Sequence, residues 1–238
     1  AASAQMAEQP TDAEQPSDNG RSVKAMVAKS ELVFSGSVEN IQYALSEPTG
    51  ADDIALPHTF VTYRVDEVLA GEDPGGLVTL RFIGGLDTET MRYMSTSRTP
   101  LFDLGDQDIL FVQGNTEKMC PLVGDFKGRL RVIKGQLYSE KGRSIMLEKD
   151  GALKIGPRYR LDEVETTTVE GRTFKTKGQG AKLESLPSKA VGAAELKALV
   201  RKSARGHKPK KAFVDADPFS VFTAPSGTPA APPAVQEP

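Results

Sequence analysis

The chain has 238 residues, enough for one large domain or two small ones. Hydrophobic residues make up 38% of it and aromatic residues 6%, which predicts an ordinary core diluted by polar tails. A net charge of −2 argues against a dedicated nucleic-acid-binding protein, and the single cysteine, Cys120, excludes an intramolecular disulfide. No apolar run approaches the roughly 18 residues that a membrane-spanning helix needs, so the sequence predicts at most contact with a membrane surface.

The N-terminal segment differs from the rest of the chain in charge. Residues 1–20 hold four acidic residues, two prolines and no basic residue, so we predict a flexible acidic arm over residues 1–21. The small residues at positions 1–5 resemble the remnant of a signal-peptidase site. They predict an exported protein, periplasmic or extracellular, whose signal peptide has been removed. A chain that has been shortened at its N-terminus is the alternative.

Strand signals dominate residues 22–150. Val23, Met26 and Val27 stand at helical spacing and predict a short leading helix over residues 22–30. Five principal strands follow, and a small hairpin comes after them. By residue number the strands are 32–43, 59–69, 77–83, 109–112 and 122–123 with 129–133, and the hairpin joins 136–138 to 145–147. The fourth of these strands is continuously apolar, which predicts that it is buried on both faces.

The strand pattern predicts an all-β fold. Five twisted strands with glycines at their bends favour a small OB-like barrel over residues 22–150, whereas a β-sandwich, the alternative, usually needs about seven strands. Residues 151–238 are predicted as a C-terminal arm, with a helix over residues 189–204 that Ser188 caps. A basic run over residues 197–211 and a Pro/Ala-rich extended tail over residues 225–238 complete the arm.

The strand segments carry a resemblance to a known family. The segments are SELVFSGSV (30–38), TFVTYRVDEVLAG (59–71), VTLRFIGG (78–85) and FDLGDQDILFV (102–112) with CPLVG (120–124) and GRLRV (128–132). They resemble a family of uncharacterised exported bacterial proteins whose domain is similar to the TIMP and netrin-like (NTR-like) OB folds. The resemblance covers about residues 22–140 and implies the OB-like barrel and export. Animal TIMPs chelate a protease's zinc with a disulfide-held N-terminal cysteine, and this mechanism does not transfer to a chain that begins with alanine.

The sequence offers no set of side chains for catalysis. His58 stands at a strand entrance, where an exposed edge histidine is the ordinary interpretation, and His207 lies in the basic run. Cys120 is interpreted as a buried structural thiol rather than a reactive one. We therefore predict no enzymatic activity, no cofactor and no metal site.

Two glycine-containing segments faintly resemble ligand loops. Asp103, Asp106 and Asp108 surround a glycine, but the EF-hand pattern is absent, so we interpret them as turn residues before a buried strand. Gly84 and Gly85 are followed by no helix signal, which leaves a phosphate loop unsupported.

The most informative local feature is an apolar cluster that follows the basic run. Three of the ten phenylalanines lie within residues 213–222, a segment too short to form a core, so it either folds back on the barrel or docks on another chain. The basic run would attract an acidic surface: lipid, polysaccharide, nucleic acid or partner protein. The lack of interleaved aromatic residues disfavours nucleic acid. The predicted partner-binding residues are Phe213, Phe219, Val221, Phe222, Arg201, Lys202, Arg205, Lys208, Lys210 and Lys211.

These features together predict a non-enzymatic exported binding or assembly subunit. Its arms would contact other protein subunits, in a homo-oligomer or a larger extracellular complex. A secreted protease inhibitor or modulator that uses the barrel loops is one alternative. The other is an OB-type binder of polysaccharide or oligonucleotide, for which Tyr43, Tyr63 and Phe82 are the available aromatic residues.

Overall fold

The computed structural model describes residues 22–48, 54–97, 99–158, 165–169, 172–176 and 190–224. The helices are α1 (Val23–Lys29) and α2 (Ala193–Ala204), and a short 3-10 turn covers Asp125–Gly128. The strands are β1 (Leu32–Leu45), β2 (Pro57–Ala70), β3 (Leu77–Ile83), β4 (Gly85–Asp87), β5 (Arg92–Met94), β6 (Gln107–Val112), β7 (Arg129–Ile133), β8 (Gln136–Tyr138), β9 (Arg143–Leu147), β10 (Leu153–Arg158), β11 (Glu165–Val169) and β12 (Arg172–Thr176). The predicted N-terminal arm and the predicted Pro/Ala-rich tail lie outside the described residues.

Eight strands form one antiparallel sheet in the order β10-β9-β8-β7-β6-β1-β2-β3, and β4-β5 and β11-β12 form separate hairpins. Within the large sheet, β6 returns to lie beside β1, so β6-β1-β2-β3 is a Greek key. The prediction of a mainly β fold is therefore confirmed. Among the described residues β3 and β10 are the edges of the sheet, and no strand pairing closes it into the predicted barrel.

Close approach of β1 and β2 depends on one glycine. A Cβ atom at Gly36 would lie 2.5 Å from the carbonyl oxygen of Arg64, so only glycine fits at this position. Register shifts between Val33 and Phe34 and between Ser35 and Gly36 bend the strand there. The bend lets the long strands β1 and β2, 14 residues each, curve around a core.

The sheet is apolar on both faces. Ile109 and Phe111 of β6 belong to a first core cluster, while Leu110 and Val112, on the opposite face, belong to a second. All four side chains are buried, which confirms the prediction of a strand covered on both sides. The first cluster is covered by α1 and α2, and the second lies between β1, β2, β3 and β6.

The helix α1 confirms the predicted leading helix, and α2 begins later than predicted. The hydroxyl of Ser22 accepts a hydrogen bond from the Ala25 N–H and so caps α1. Val191 is extended: its N–H donates to the Ile145 carbonyl (2.8 Å) and its carbonyl accepts from the Leu137 N–H (3.1 Å). Since its backbone groups bond to the sheet, α2 begins only at Ala193 rather than at residue 189.

The packed body extends past residue 150. β10 pairs with β9 in the large sheet, and Leu153 belongs to the first core cluster. Leu196 and Val200 of α2 have no exposed surface and pack in the same cluster. The structure thus places part of the predicted C-terminal arm in one body with the strands.

Candidate functional site

After α2 the chain reaches β3 and runs along its outer edge. We call residues 213–223 the strap. The Thr79 N–H donates to the Asp215 carboxylate (2.6 Å), and the Ala216 N–H donates to the Thr79 carbonyl (3.1 Å). The Asn115 side-chain amide also donates to that carbonyl (2.9 Å). These bonds occupy backbone groups that an uncovered edge strand would offer to another chain.

Two phenylalanines anchor the ends of the strap. Phe213 is half-buried and packs against the second core cluster. Phe222 is also half-buried, and its ring lies edge-on to His58 (5.0 Å between centroids) and to Phe60 (5.3 Å). The Arg81 guanidinium stands 5.0 Å from the centre of the same ring, in cation–π range.

The part of the strap between these anchors points its apolar side chains outward. Phe219 is 85% exposed and Val221 is 76% exposed, and we call this pair the knob. The carboxylate of Asp217 accepts from the Phe219 N–H (2.9 Å), and the Ser220 hydroxyl donates to the Asp217 carbonyl (2.8 Å). These bonds define the turn that carries the knob. The structure therefore divides the predicted docking phenylalanines: Phe213 and Phe222 face the sheet, and Phe219 faces outward.

The predicted basic residues divide in a similar way. Arg201 forms an ion pair with Glu67, and Lys211 forms one with Glu117. Four others are exposed, and no ion pair of theirs occurs among the described residues; they are Lys202, Arg205, Lys208 and Lys210. We call these four residues, which lie at the end of α2 and in the segment that leads to the strap, the positive strip.

A buried ion network that the sequence did not indicate lies at the start of β7. Arg129 has no exposed surface, and its guanidinium binds Asp108 (2.8 Å), Asp106 (2.6 Å) and Glu140 (2.8 Å). The Tyr63 hydroxyl donates to the same Asp108 oxygen (2.8 Å). Burial raises the pKa of the Asp108 carboxyl, and burial together with the Asp108 charge raises the pKa of Tyr63 well above its usual value.

This network fits a structural role. Two of the aspartates predicted as turn residues, Asp106 and Asp108, hold the guanidinium of Arg129, which also lies 4.3 Å from the centre of the Phe102 ring. Asp103 stays exposed. No local pattern marks Arg129, because it meets its partners only through the pairing of β6 with β7 and through the loop around residue 140.

His58 is not the exposed edge residue that was predicted. Its side chain is buried, its Nδ1–H donates to the Leu56 carbonyl (3.0 Å), and the strap covers its ring with Phe222. Burial lowers the pKa of His58 to about 4, and the positive charge of Arg81 acts in the same direction. Pairing of β2 with β3 and packing of the strap cover this position, and neither is visible in the local sequence.

The other candidate residues, Cys120 and His207, do not lie together in one site. Cys120 is buried in the second core cluster, as predicted. His207 follows α2, where its N–H donates to the Ala204 carbonyl (2.9 Å). In the described part of the chain, no group of three or more His, Cys, Asp or Glu side chains could hold a metal ion.

An open groove of about 390 Å³ lies beside the β4-β5 hairpin, where β3 ends. Its walls combine rings, hydroxyls and one lysine, among them Thr59, Tyr93, Ser95, Leu101, Phe126 and Lys141. A Cβ atom at Gly85 would lie 2.5 Å from the Thr59 hydroxyl and 2.7 Å from the Tyr43 ring, so glycine lets the hairpin approach the sheet. No local sequence pattern indicates this groove, because its walls come from segments far apart in the chain.

Comparisons with known proteins give no relative: no family model matches the chain, and neither a curated protein nor a solved structure matches it significantly. Over the residues that the structure describes, no helix is both long and apolar enough to cross a membrane.

Proposed function

We propose that the chain is a non-enzymatic binding or assembly subunit that acts after export, in the periplasm or outside the cell. It contacts other protein subunits through the strap. The observation that carries this proposal is the exposure of Phe219 and Val221 on a turn whose two flanks are anchored. Burying one phenylalanine contributes about 1.5–3 kcal/mol, so a fixed exposed ring is a ready contact for another chain.

We propose further that the sheet is an OB-like body that presents the strap. The five strands β7-β6-β1-β2-β3 stand in Greek-key order, which suits the five-stranded, partly open barrel of OB folds. A rigid body of this kind holds the knob in place and lowers the entropy that binding would otherwise cost.

The positive strip adds to the proposal in a limited way. Lys202, Arg205, Lys208 and Lys210 are exposed on the approach to the strap. Exposed charges of one sign accelerate encounter with an acidic partner more than they strengthen the final complex. Their contribution is therefore expected to fall as salt is raised.

The test is crosslinking of the tagged full chain in its native source. We expect the parent chain to give a crosslinked species larger than one chain, and Phe219→Ser with Val221→Ser to abolish it. The matched control is Ile54→Ser with Leu77→Ser, because these side chains are 54% and 52% exposed and lie outside the strap. If the knob variant and the control give the same crosslinked species, the proposed function is wrong.

A further inference from the structure

We propose that the partner of the knob is a second copy of this chain, and that Phe219 of one copy inserts into the open groove of the next. The inference rests on the proposed function, since it uses the same knob, and it adds the identity of the partner and the surface that receives it.

The groove has the size and the walls for an aromatic side chain. Cavities of roughly 300–1,000 Å³ take groups up to the size of a drug molecule, and this one measures about 390 Å³. Tyr93 and Phe126 offer rings, which pair edge to face with another ring. Leu101 is 65% exposed and Tyr93 52% exposed, so apolar surface at the rim would be covered when a ring enters.

Knob and groove are separate patches of one molecule. The residues that line the groove lie between Thr59 and Lys141, and none belongs to the strap. Phe219 is 85% exposed, so it does not occupy the groove of its own chain. Each copy therefore carries one unused knob and one open groove.

The two patches are also complementary in charge. Residues 212–224 contain the acids Asp215 and Asp217 and no basic residue, and Asp217 is exposed beside Phe219. In the groove Lys141 is exposed, with its ammonium 5.8 Å from the centre of the Phe126 ring. The groove's carboxylate, Glu140, already forms an ion pair with Arg129. Lys141 is therefore available for an ion pair with Asp217 of the second copy.

A contact between two different patches has a defined consequence for assembly. It is heterologous, so each copy that binds leaves one knob and one groove free. The product is a ring or an open chain of subunits rather than a simple two-fold dimer.

The test uses two variants of the purified full chain and their mixture. Phe219→Ser removes the knob, and Ser95→Glu fills the groove with a side chain that repels Asp217. Leu77→Ser and Thr88→Glu are the controls, at exposed positions outside both patches. Sedimentation velocity over a range of concentrations measures the size, and thermal unfolding checks that each variant is folded.

We expect the parent and the controls to form species that grow with concentration, and each variant alone to stay at the mass of one chain. An equimolar mixture of the two variants should form a species of two chains and nothing larger, because one intact knob then meets one intact groove. If the parent stays a single chain at every concentration, or if the mixture does not pair, the second-copy proposal is overturned. Native crosslinks that still depend on Phe219 would leave the proposed function standing.

Salt dependence tests the orientation independently. The parent association should weaken as salt is raised, because Asp217 and Lys141 attract. Lys141→Glu should weaken association several-fold at low salt and reverse the trend, because like charges then face each other. An unchanged salt dependence in this variant would contradict the proposed docking.

Discussion

Arg129 neutralises carboxylates that would otherwise be buried without compensation. Its guanidinium contacts Asp108, which has no exposed side-chain surface, and Asp106 and Glu140, which are mostly covered. A carboxylate inside a protein loses its hydration, and only close positive charge and hydrogen bonds offset that loss. This residue therefore holds the start of β7 against β6 and β2.

Replacement of Arg129 by Met should destabilise the fold by about 3–5 kcal/mol, because the buried charge of Asp108 is left unpaired. The control is Arg131→Met, which removes only a partly exposed ion pair with Asp106 and should cost about 1 kcal/mol or less. Urea unfolding of both variants measures the difference. Equal losses would show that the network is not a structural centre.

His58 should make stability depend on pH. Its pKa is lowered from 6.5 to about 4 in the folded chain, so the unfolded chain binds a proton first as the pH falls. Stability from this residue is complete above pH 6.5 and is lost progressively down to about pH 4. The loss should be about 3 kcal/mol at most.

The measurement is the free energy of unfolding of the parent and of His58→Asn at pH 7 and at pH 4.5. Asparagine keeps a donor for the Leu56 carbonyl but does not titrate in this range. The difference between the two proteins should shrink at the lower pH. A difference that stays constant would mean that the pKa of His58 is the same in the folded and unfolded chains.

Among the elements, the strap combines inward anchors with an outward knob. Replacing the half-buried Phe222 by Ser should lower the free energy of unfolding by about 1–3 kcal/mol, because its ring covers His58 and Phe60. Phe219→Ser should change it by less than about 0.5 kcal/mol, since that ring has few contacts to lose. Thermal and urea unfolding of the two variants make the comparison. Equal destabilisation by both would show that the knob packs on the body.

Elements were predictable where local pattern alone determines them. Apolar and polar residues largely alternate over Leu77–Ile83, and a glycine stands at each end. The predicted strand therefore agrees with β3 at both ends. β10 was missed because its sequence, LKIGPR, contains a lysine, a glycine and a proline, and its pairing with β9 supplies the structure. The segment 213–222 was singled out by its phenylalanines. Which of them turn inward depends on β3 and Asn115, more than 90 residues away in the chain.

At the scale of the whole molecule, the packed body needs residues on both sides of position 150. The strand pattern predicted a barrel domain confined to residues 22–150. The structure places Leu153, Leu196 and Val200 in the first core cluster, so a chain cut at residue 150 exposes the apolar face that α2 covers.

We therefore expect residues 22–150 to unfold at lower temperature than residues 22–224, or without a cooperative transition. Circular dichroism during heating measures both. Within the longer chain, Leu196→Ala should cost about 2–5 kcal/mol, because it leaves a cavity under α2. Identical midpoints for the two chains would show that α2 is not needed for the core.

The position of the strap also determines the order of steps in folding. The bond between Thr79 and Asp215 joins positions 136 residues apart, so it forms late: a long loop must close before the contact contributes. The sheet must already present β3 before the strap can attach and fix the turn at Asp217. Under the proposed function, a chain that is not yet folded has no rigid knob, and it would be able to associate only once its body is folded. Folding would then be the checkpoint for the proposed assembly.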